Sequence, residues 1–311
     1  MILKNNGYDV AILHEKNDYI KPGAWLGDEY DTLQHHSIED NTLKVGPQDY
    51  VIIPEIYGSL LEQIQQLPVD RVLLIQCFEY LLDSFAPGKS WLDYGVGDCI
   101  TTSKTLSEMV GELVGGVDVN YINPAIPDFF SPSDKPTKPL IAIHCRDQRK
   151  TAKIIKSFYL KYPIYRFISF KDMHGMGVKD FANNLKECAL AIWVDDDSSF
   201  GTFPIEAMKC NVPIIGKIPT IIPEWITDDN GIWVYDENQI SDLIYNFMKT
   251  WMEDKTPENF LNISNTVKNL YTEENFNTAT IAVYESLFDK KIKKLNTIKE
   301  NLQKNLKTNE N

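Results

Sequence analysis

Short strand-like runs recur along the chain at 50–54, 71–76, 98–103, 140–145, 166–170, 189–194 and 212–216. Between them, apolar residues spaced three and four apart predict helices over 60–66, 104–114, 179–188, 204–209, 239–251 and 274–288, with 260–270 continuing the helical character. Strands alternating with helices predict parallel sheets, and such sheets bind ligands at the carboxyl ends of their strands. The opening reads as the end of a helix, because Asn5-Asn6-Gly7 is a helix-stop signal and residues 8–13 form the next strand. We therefore expect a strand, a turn and most of a helix upstream of Met1, so that the first sheet lacks its first strand.

Residues 123–139 hold five prolines (Pro124, Pro127, Pro132, Pro136 and Pro139), which predicts a stiff, extended linker. The expected fold is α/β, with two Rossmann-like domains facing a cleft: 1–122, a hinge at 123–139, 140–272, and a returning helix with a tail at 273–311. In that tail Phe288, Ile292, Leu295, Ile298, Leu302 and Leu306 recur at three- and four-residue steps. A solvated helix, a partner-docking or coiled-coil segment and an interfacial helix on an anionic membrane all fit this stripe.

The chain of 311 residues is long enough for two cores. Its net charge of −13 argues against nucleic acid, whose binding rests on neutralising phosphates with Lys and Arg. The tail is the exception, since seven lysines against three acids between Asp289 and Asn311 leave a local +4. The sequence carries no membrane-spanning run and no signal-peptide layout, so a cytoplasmic location is expected. The five cysteines are scattered without a C-x-x-C spacing and read as buried thiols.

The densest chemistry lies between Cys188 and Trp233. A buried strand feeds Phe200-Gly201-Thr202, a tight turn, and then a helix from Pro204 to Lys209, since Pro favours the first helical position. Free N–H groups and the positive dipole end there make an anion site. Glu206 in the first turn is stabilised by the same dipole whatever the protein does. Arg146, Arg149 and Lys150 follow the 140–145 strand, either as anion ligands or as a surface cluster before a helix. Glu55, Gln76 and Glu79 lie at strand ends of the first half, where a solvated loop is the alternative for the two acids.

Ser198, Phe200-Gly201, Glu206-Ala207-Met208 and Val212-Pro213-Ile214-Ile215 together resemble the donor-binding motif of retaining glycosyltransferases of the GT-B fold, the family 4 or group 1 type. Asn123, Phe130 and Pro132 resemble that family's hinge, and the likeness runs over 54–288. The resemblance implies transfer of a sugar from a nucleotide-sugar, a substrate rather than a cofactor, to a glycan, lipid-linked or protein acceptor, with retention and without a metal. It implies that Arg146 and Lys150, with Arg149 able to replace either, and the Gly201-Thr202 backbone hold the diphosphate. Glu206 would bind the ribose, Ser198 occupies the position of a family glutamate near the transferred sugar, and Glu55, Gln76 and Glu79 lie on the acceptor side. The expected catalytic pair is thus Ser198 and Glu206.

Two other readings remain. Asp195-Asp196-Asp197 resembles the Asp-x-Asp with which GT-A glycosyltransferases hold a divalent cation, hard oxygens suiting a hard metal. Ser198 in place of glutamate, with no Gly-rich loop at the start, also fits a degenerate homologue that binds without turnover.

Overall fold

In the computed structural model of the chain the described residues are 1–24, 26–39, 44–83, 86–132, 138–255, 260 and 263–309, the side chains of 305–309 excepted. A short helix α1 (Ile2–Asn5) precedes strands β1 (Ala11–His14) and β2 (Gln34–Ser37). Then come β3 (Tyr50–Pro54), α2 (Gly58–Gln63), β4 (Asp70–Ile75), α3 (Phe78–Asp83), β5 (Val96–Thr101), α4 (Lys104–Leu113) and β6 (Asp118–Tyr121). The C-terminal half runs through β7 (Leu140–His144), α5 (Gln148–Lys161), β8 (Ser169–Asp172), α6 (Val178–Lys186), β9 (Leu190–Trp193) and α7 (Thr202–Lys209). It continues with β10 (Ile214–Lys217), β11 (Ile232–Val234), α8 (Ile240–Met252) and a single long α9 (Glu273–Asn309).

All the strand pairs are parallel. The N-terminal half holds β1 beside β2 and, separately, the order β3-β4-β5-β6; the C-terminal half holds β11-β10-β9-β7-β8. Among the described residues no hydrogen-bonded strand joins the two N-terminal pieces. Every residue of β9, in the middle of the C-terminal sheet, is buried, and the strand reads as an unbroken apolar run. Phe276, Val283 and Leu287 of α9 pack on Val72 and Ile100 of the N-terminal sheet, which ties the end of the chain to its first half. Among the described residues no helix is long and apolar enough to cross a membrane.

Several elements depart from the pattern. The strand expected at 166–170 lies at Ser169–Asp172, so Lys171 and Asp172 belong to it rather than to the following loop. Residues 263–266 form a 3-10 turn in place of a continuing helix, although Phe260, Ile263 and Val267 keep the three- and four-residue spacing and are buried in the C-terminal core. Helix α7 begins at Thr202, so Pro204 is its third residue, still within the first turn where an N–H has no helical partner. The proline-rich segment has no helix or strand among its described residues, yet it is not a free spacer. Ile126 and Phe130 are buried in the C-terminal core, and the Ile126 carbonyl accepts from Lys209 Nζ at 2.6 Å. Pro136 lies outside the described residues.

Candidate active site

His144 at the end of β7 and Trp193 at the end of β9 are partners in the sheet, so the residues after them leave it side by side. The Arg146 backbone N–H donates to Asp195 Oδ1 at 2.6 Å, locking the two strand ends together. Asp147 caps α5 by accepting from the Arg149 N–H at 2.8 Å, which sets Lys150 in the first turn. Lys150 then reaches the Asp196 carboxylate, which also accepts from Lys217 Nζ of β10 at 2.5 Å. Burial works against the charge on Lys150, but Asp196 and Glu237 hold its pKa above the ordinary value. Asp196 is itself pulled below the carboxylate range against its desolvation, by the two lysines. Two acids of the 195–197 run thus meet donors of the protein, with Asp195 on a backbone amide and Asp196 between two ammonium groups.

The Arg146 guanidinium points across the cleft. Its Nη1 donates to the Tyr80 hydroxyl at 3.0 Å and lies 3.5 Å from the Asp197 carbonyl, and its carbon sits 5.4 Å from the centre of the Tyr80 ring. Cys77 Sγ lies 2.9 Å from that same Asp197 carbonyl and 3.2 Å from a Glu79 carboxylate oxygen, with one S–H to share between the two acceptors. The Phe78 N–H, first in α3, donates to Ser199 Oγ at 2.9 Å. The carboxyl ends of β4 and β9 therefore face each other in contact. A second bridge forms where Glu224 of the C-terminal half accepts from the Lys104 N–H at 3.2 Å, at the start of α4.

The strand-end residues of the N-terminal half join this cluster unequally. Glu55 is buried, accepts from the Cys77 N–H at 2.9 Å, and has its pKa raised by desolvation in spite of backbone hydrogen bonds and Arg146. Glu79 is half-buried beside Cys77, whereas Gln76 is exposed. Arg149 is also exposed, and the amide that Asp147 accepts from is its contact at the helix start.

Below the cations, Gly201 carries the turn into α7. Its φ of +75° is left-handed, and an added Cβ would lie 2.6 Å from Trp193 Cζ2, so glycine is required twice over. Among the described residues no side chain caps α7, so the amides of its first turn, those of Thr202 and Phe203 included, lack a helical partner. Ser198 is buried at 7% exposure. Glu206 is half-buried one turn into α7; its carboxylate makes no hydrogen bond or ion pair among the described residues, and desolvation pushes its pKa from 4.5 to about 7. Arg146, Lys150, Ser198, Gly201, Thr202 and Glu206 thus belong to one end of one sheet.

Sequence reasoning missed Tyr80, which gave no signal beyond being an exposed aromatic, and a histidine pair. The His144 ring lies 4.6 Å from that of His174 and 5.3 Å from that of Phe203. Burial lowers the pKa of His144, and His174 hydrogen-bonds Asp172. The five cysteines are all buried and free.

No protein-family profile matches the chain. An alpha-1,6-glucosyltransferase of Actinobacillus pleuropneumoniae serotype 7 (strain AP76) is 22% identical over 265 residues, spanning 81% of this chain and 79% of that protein. Sucrose-phosphate synthase from Thermosynechococcus elongatus superposes with a TM-score of 0.62 at 13% identity, over 93% of this chain and 91% of that one. HepE from Anabaena, in complex with UDP-glucose, superposes with a TM-score of 0.56 at 10% identity, over 76% and 78% of the two chains. The architecture is that of GT-B glycosyltransferases, two Rossmann-like sheets whose carboxyl ends line a cleft.

Proposed function

We propose that the protein transfers a sugar from a nucleoside-diphosphate sugar to a hydroxyl of an acceptor held between its two halves. The observation that carries this reading is the convergence of Arg146, Lys150 and the uncapped start of α7 on one strand end, with an unsatisfied carboxylate, Glu206, one turn deeper. A diphosphate needs cations and amide donors, and a ribose diol needs an acceptor; these residues supply both. The likeness to a named glucosyltransferase, and to a structure holding UDP-glucose, supports the same donor class.

In the proposed reaction the bond between the sugar's anomeric carbon and the diphosphate oxygen breaks as a new bond to the acceptor oxygen forms. The acceptor's proton passes to the departing phosphate, so no protein nucleophile is needed and configuration is retained. Arg146 and Lys150 stabilise the charge that the leaving group gains. Arg146 must exchange the Tyr80 hydroxyl for phosphate, and this couples donor binding to the contact between the halves. We propose further that transfer needs no metal, so that EDTA leaves the rate unchanged; loss of activity restored by Mn²⁺ would reverse that point.

A thermal-shift screen with UDP-, GDP-, ADP- and dTDP-sugars, followed by product analysis with the stabilising donor, tests the assignment. Stabilisation by one donor and transfer with the anomeric configuration kept is the expected result. The alternative, binding without turnover, rests on Ser198 standing where the related motif has glutamate. A donor that binds but is neither hydrolysed nor transferred, with activity gained in Ser198→Glu, would favour it.

A further inference from the structure

Where α9 crosses the first half of the chain, a cavity of about 130 Å³ lies between that helix and the amino ends of β3, β4 and β5. These strands are parallel and their carboxyl ends line the cleft, so the cavity sits at the far end of the sheet. Arg71, Lys290, Lys291 and Lys294 line it together with Asp70 and Asp98, a local excess of cations on a chain whose net charge is −13.

Much of this charge is paired, and the bonds of each cation show where it is not. Lys291 is 3% exposed and fully engaged: its Nζ donates to the Asp49 carbonyl at 2.5 Å, lies 3.2 Å from Asp70 and sits 3.8 Å from the centre of the Tyr50 ring. Lys290 Nζ donates to Asp98 at 2.7 Å and to Asp118 at 2.5 Å. Lys294 Nζ donates to Asp70 at 2.9 Å, its one bond among the described residues. An ammonium carries three donors, so Lys290 has one left over and Lys294 two. Arg71 is 8% exposed, and its Nη2 donates to the carbonyls of Ile64, Gln65 and Leu67 at 2.5, 3.1 and 3.0 Å, which closes the end of α2. Its Nη1 and Nε make no hydrogen bond among the described residues. Carbonyls satisfy donors without cancelling a charge, and burial accordingly pulls the Arg71 pKa below its ordinary value, with Asp70 opposing.

A buried guanidinium with spare donors, across a cavity from two lysines with spare donors, suits a ligand that carries negative charge and has acceptor oxygens pointing several ways. The volume is below the roughly 300–1,000 Å³ of pockets for drug-sized ligands, too small for a nucleotide, and several times what one water needs. We propose that this cavity binds a small tetrahedral oxyanion of the phosphate class, held by Arg71 Nη1, Lys290 and Lys294. The ion bridges β4 to α9 and strengthens their clasp, and the site stands or falls independently of the sugar-transfer reading.

The test is melting of the full chain in sodium phosphate, sodium acetate and sodium chloride at one ionic strength, followed by calorimetry with phosphate. A higher melting temperature in phosphate than in either other salt is expected. The candidate donor site also suits phosphate groups, so variants locate the effect. Gly97 lines the cavity, and a Cβ added there meets nothing within 4 Å, so Gly97→Asp is accommodated and sets a carboxylate where the ion binds. Both Gly97→Asp and Lys294→Gln weaken phosphate binding by roughly tenfold or more, the worth of a charge-assisted hydrogen bond, whereas Arg146→Ala keeps the phosphate response. No rise beyond that in chloride, an equal rise in acetate, a rise that Gly97→Asp and Lys294→Gln leave intact, or one that Arg146→Ala abolishes would each overturn the proposal.

Discussion

Replacing Glu206 with Gln separates what this carboxylate costs the fold from what it does for the donor. Desolvation raises its pKa from 4.5 to about 7, so the folded protein holds this proton more tightly than the unfolded chain does. Below 4.5 the group is protonated in both states and carries no penalty. As the pH rises through 7 the folded state must bury a charge, and the gap corresponds to roughly 3 kcal/mol at about 1.4 kcal/mol per pH unit. Gln keeps the shape without the charge. Glu206→Gln should therefore match the parent below pH 4.5, gain stability progressively through the interval, and melt several degrees higher above pH 7. The same variant loses an ionised acceptor for the ribose hydroxyls, whose hydrogen bonds contribute about 1.5–3 kcal/mol, so the nucleotide should bind roughly tenfold to a hundredfold more weakly. Melting curves across a pH series, with and without the stabilising nucleotide, read both effects. A variant that is less stable above pH 7, a stability change independent of pH, or an undiminished nucleotide shift would refute the reasoning.

Three further outcomes follow from the geometry. Arg146→Ala should weaken nucleoside-diphosphate binding by roughly tenfold to a hundredfold, the value of charge-assisted hydrogen bonds, while its melting temperature without ligand changes little, as calorimetry and thermal melts can check. Tyr80→Phe removes the hydroxyl that Arg146 must release; that bond is worth about 1 kcal/mol, so titration should find the donor bound up to about fivefold more tightly. Gly201→Ala combines left-handed backbone with a clash on Trp193 and should lower stability by about 2–5 kcal/mol in denaturant unfolding.

What the residues revealed beforehand tracks what burial demands of them. Strands β3, β4, β7 and β9 lie within two residues of their apolar runs, because the cores they pack against call for a run of apolar side chains at 51–53, 72–75, 140–143 and 190–193. Strands β2, with the sequence QHHS, and β6, with DVNY, gave no such signal. Neither strand has a buried apolar run, and each is held by backbone hydrogen bonds that any composition can make. In the site, Gly201 and the cations were legible because strand ends and helix starts fix where they point. The Tyr80 to Arg146 contact was not, since it joins residues 66 apart through the approach of two sheets, which local pattern does not encode. The raised pKa of Glu206 was equally hidden, because it depends on how deeply α7 sits in the core.

The most direct test of the central claim is a crystal structure of the protein with whichever of UDP, GDP, ADP and dTDP gives the largest thermal shift. The diphosphate is expected within hydrogen-bond distance of Arg146, Lys150 and the first amides of α7, with the ribose hydroxyls on Glu206 and Tyr80 released from Arg146. A diphosphate bound elsewhere, or no shift with any of the four nucleotides, would contradict it.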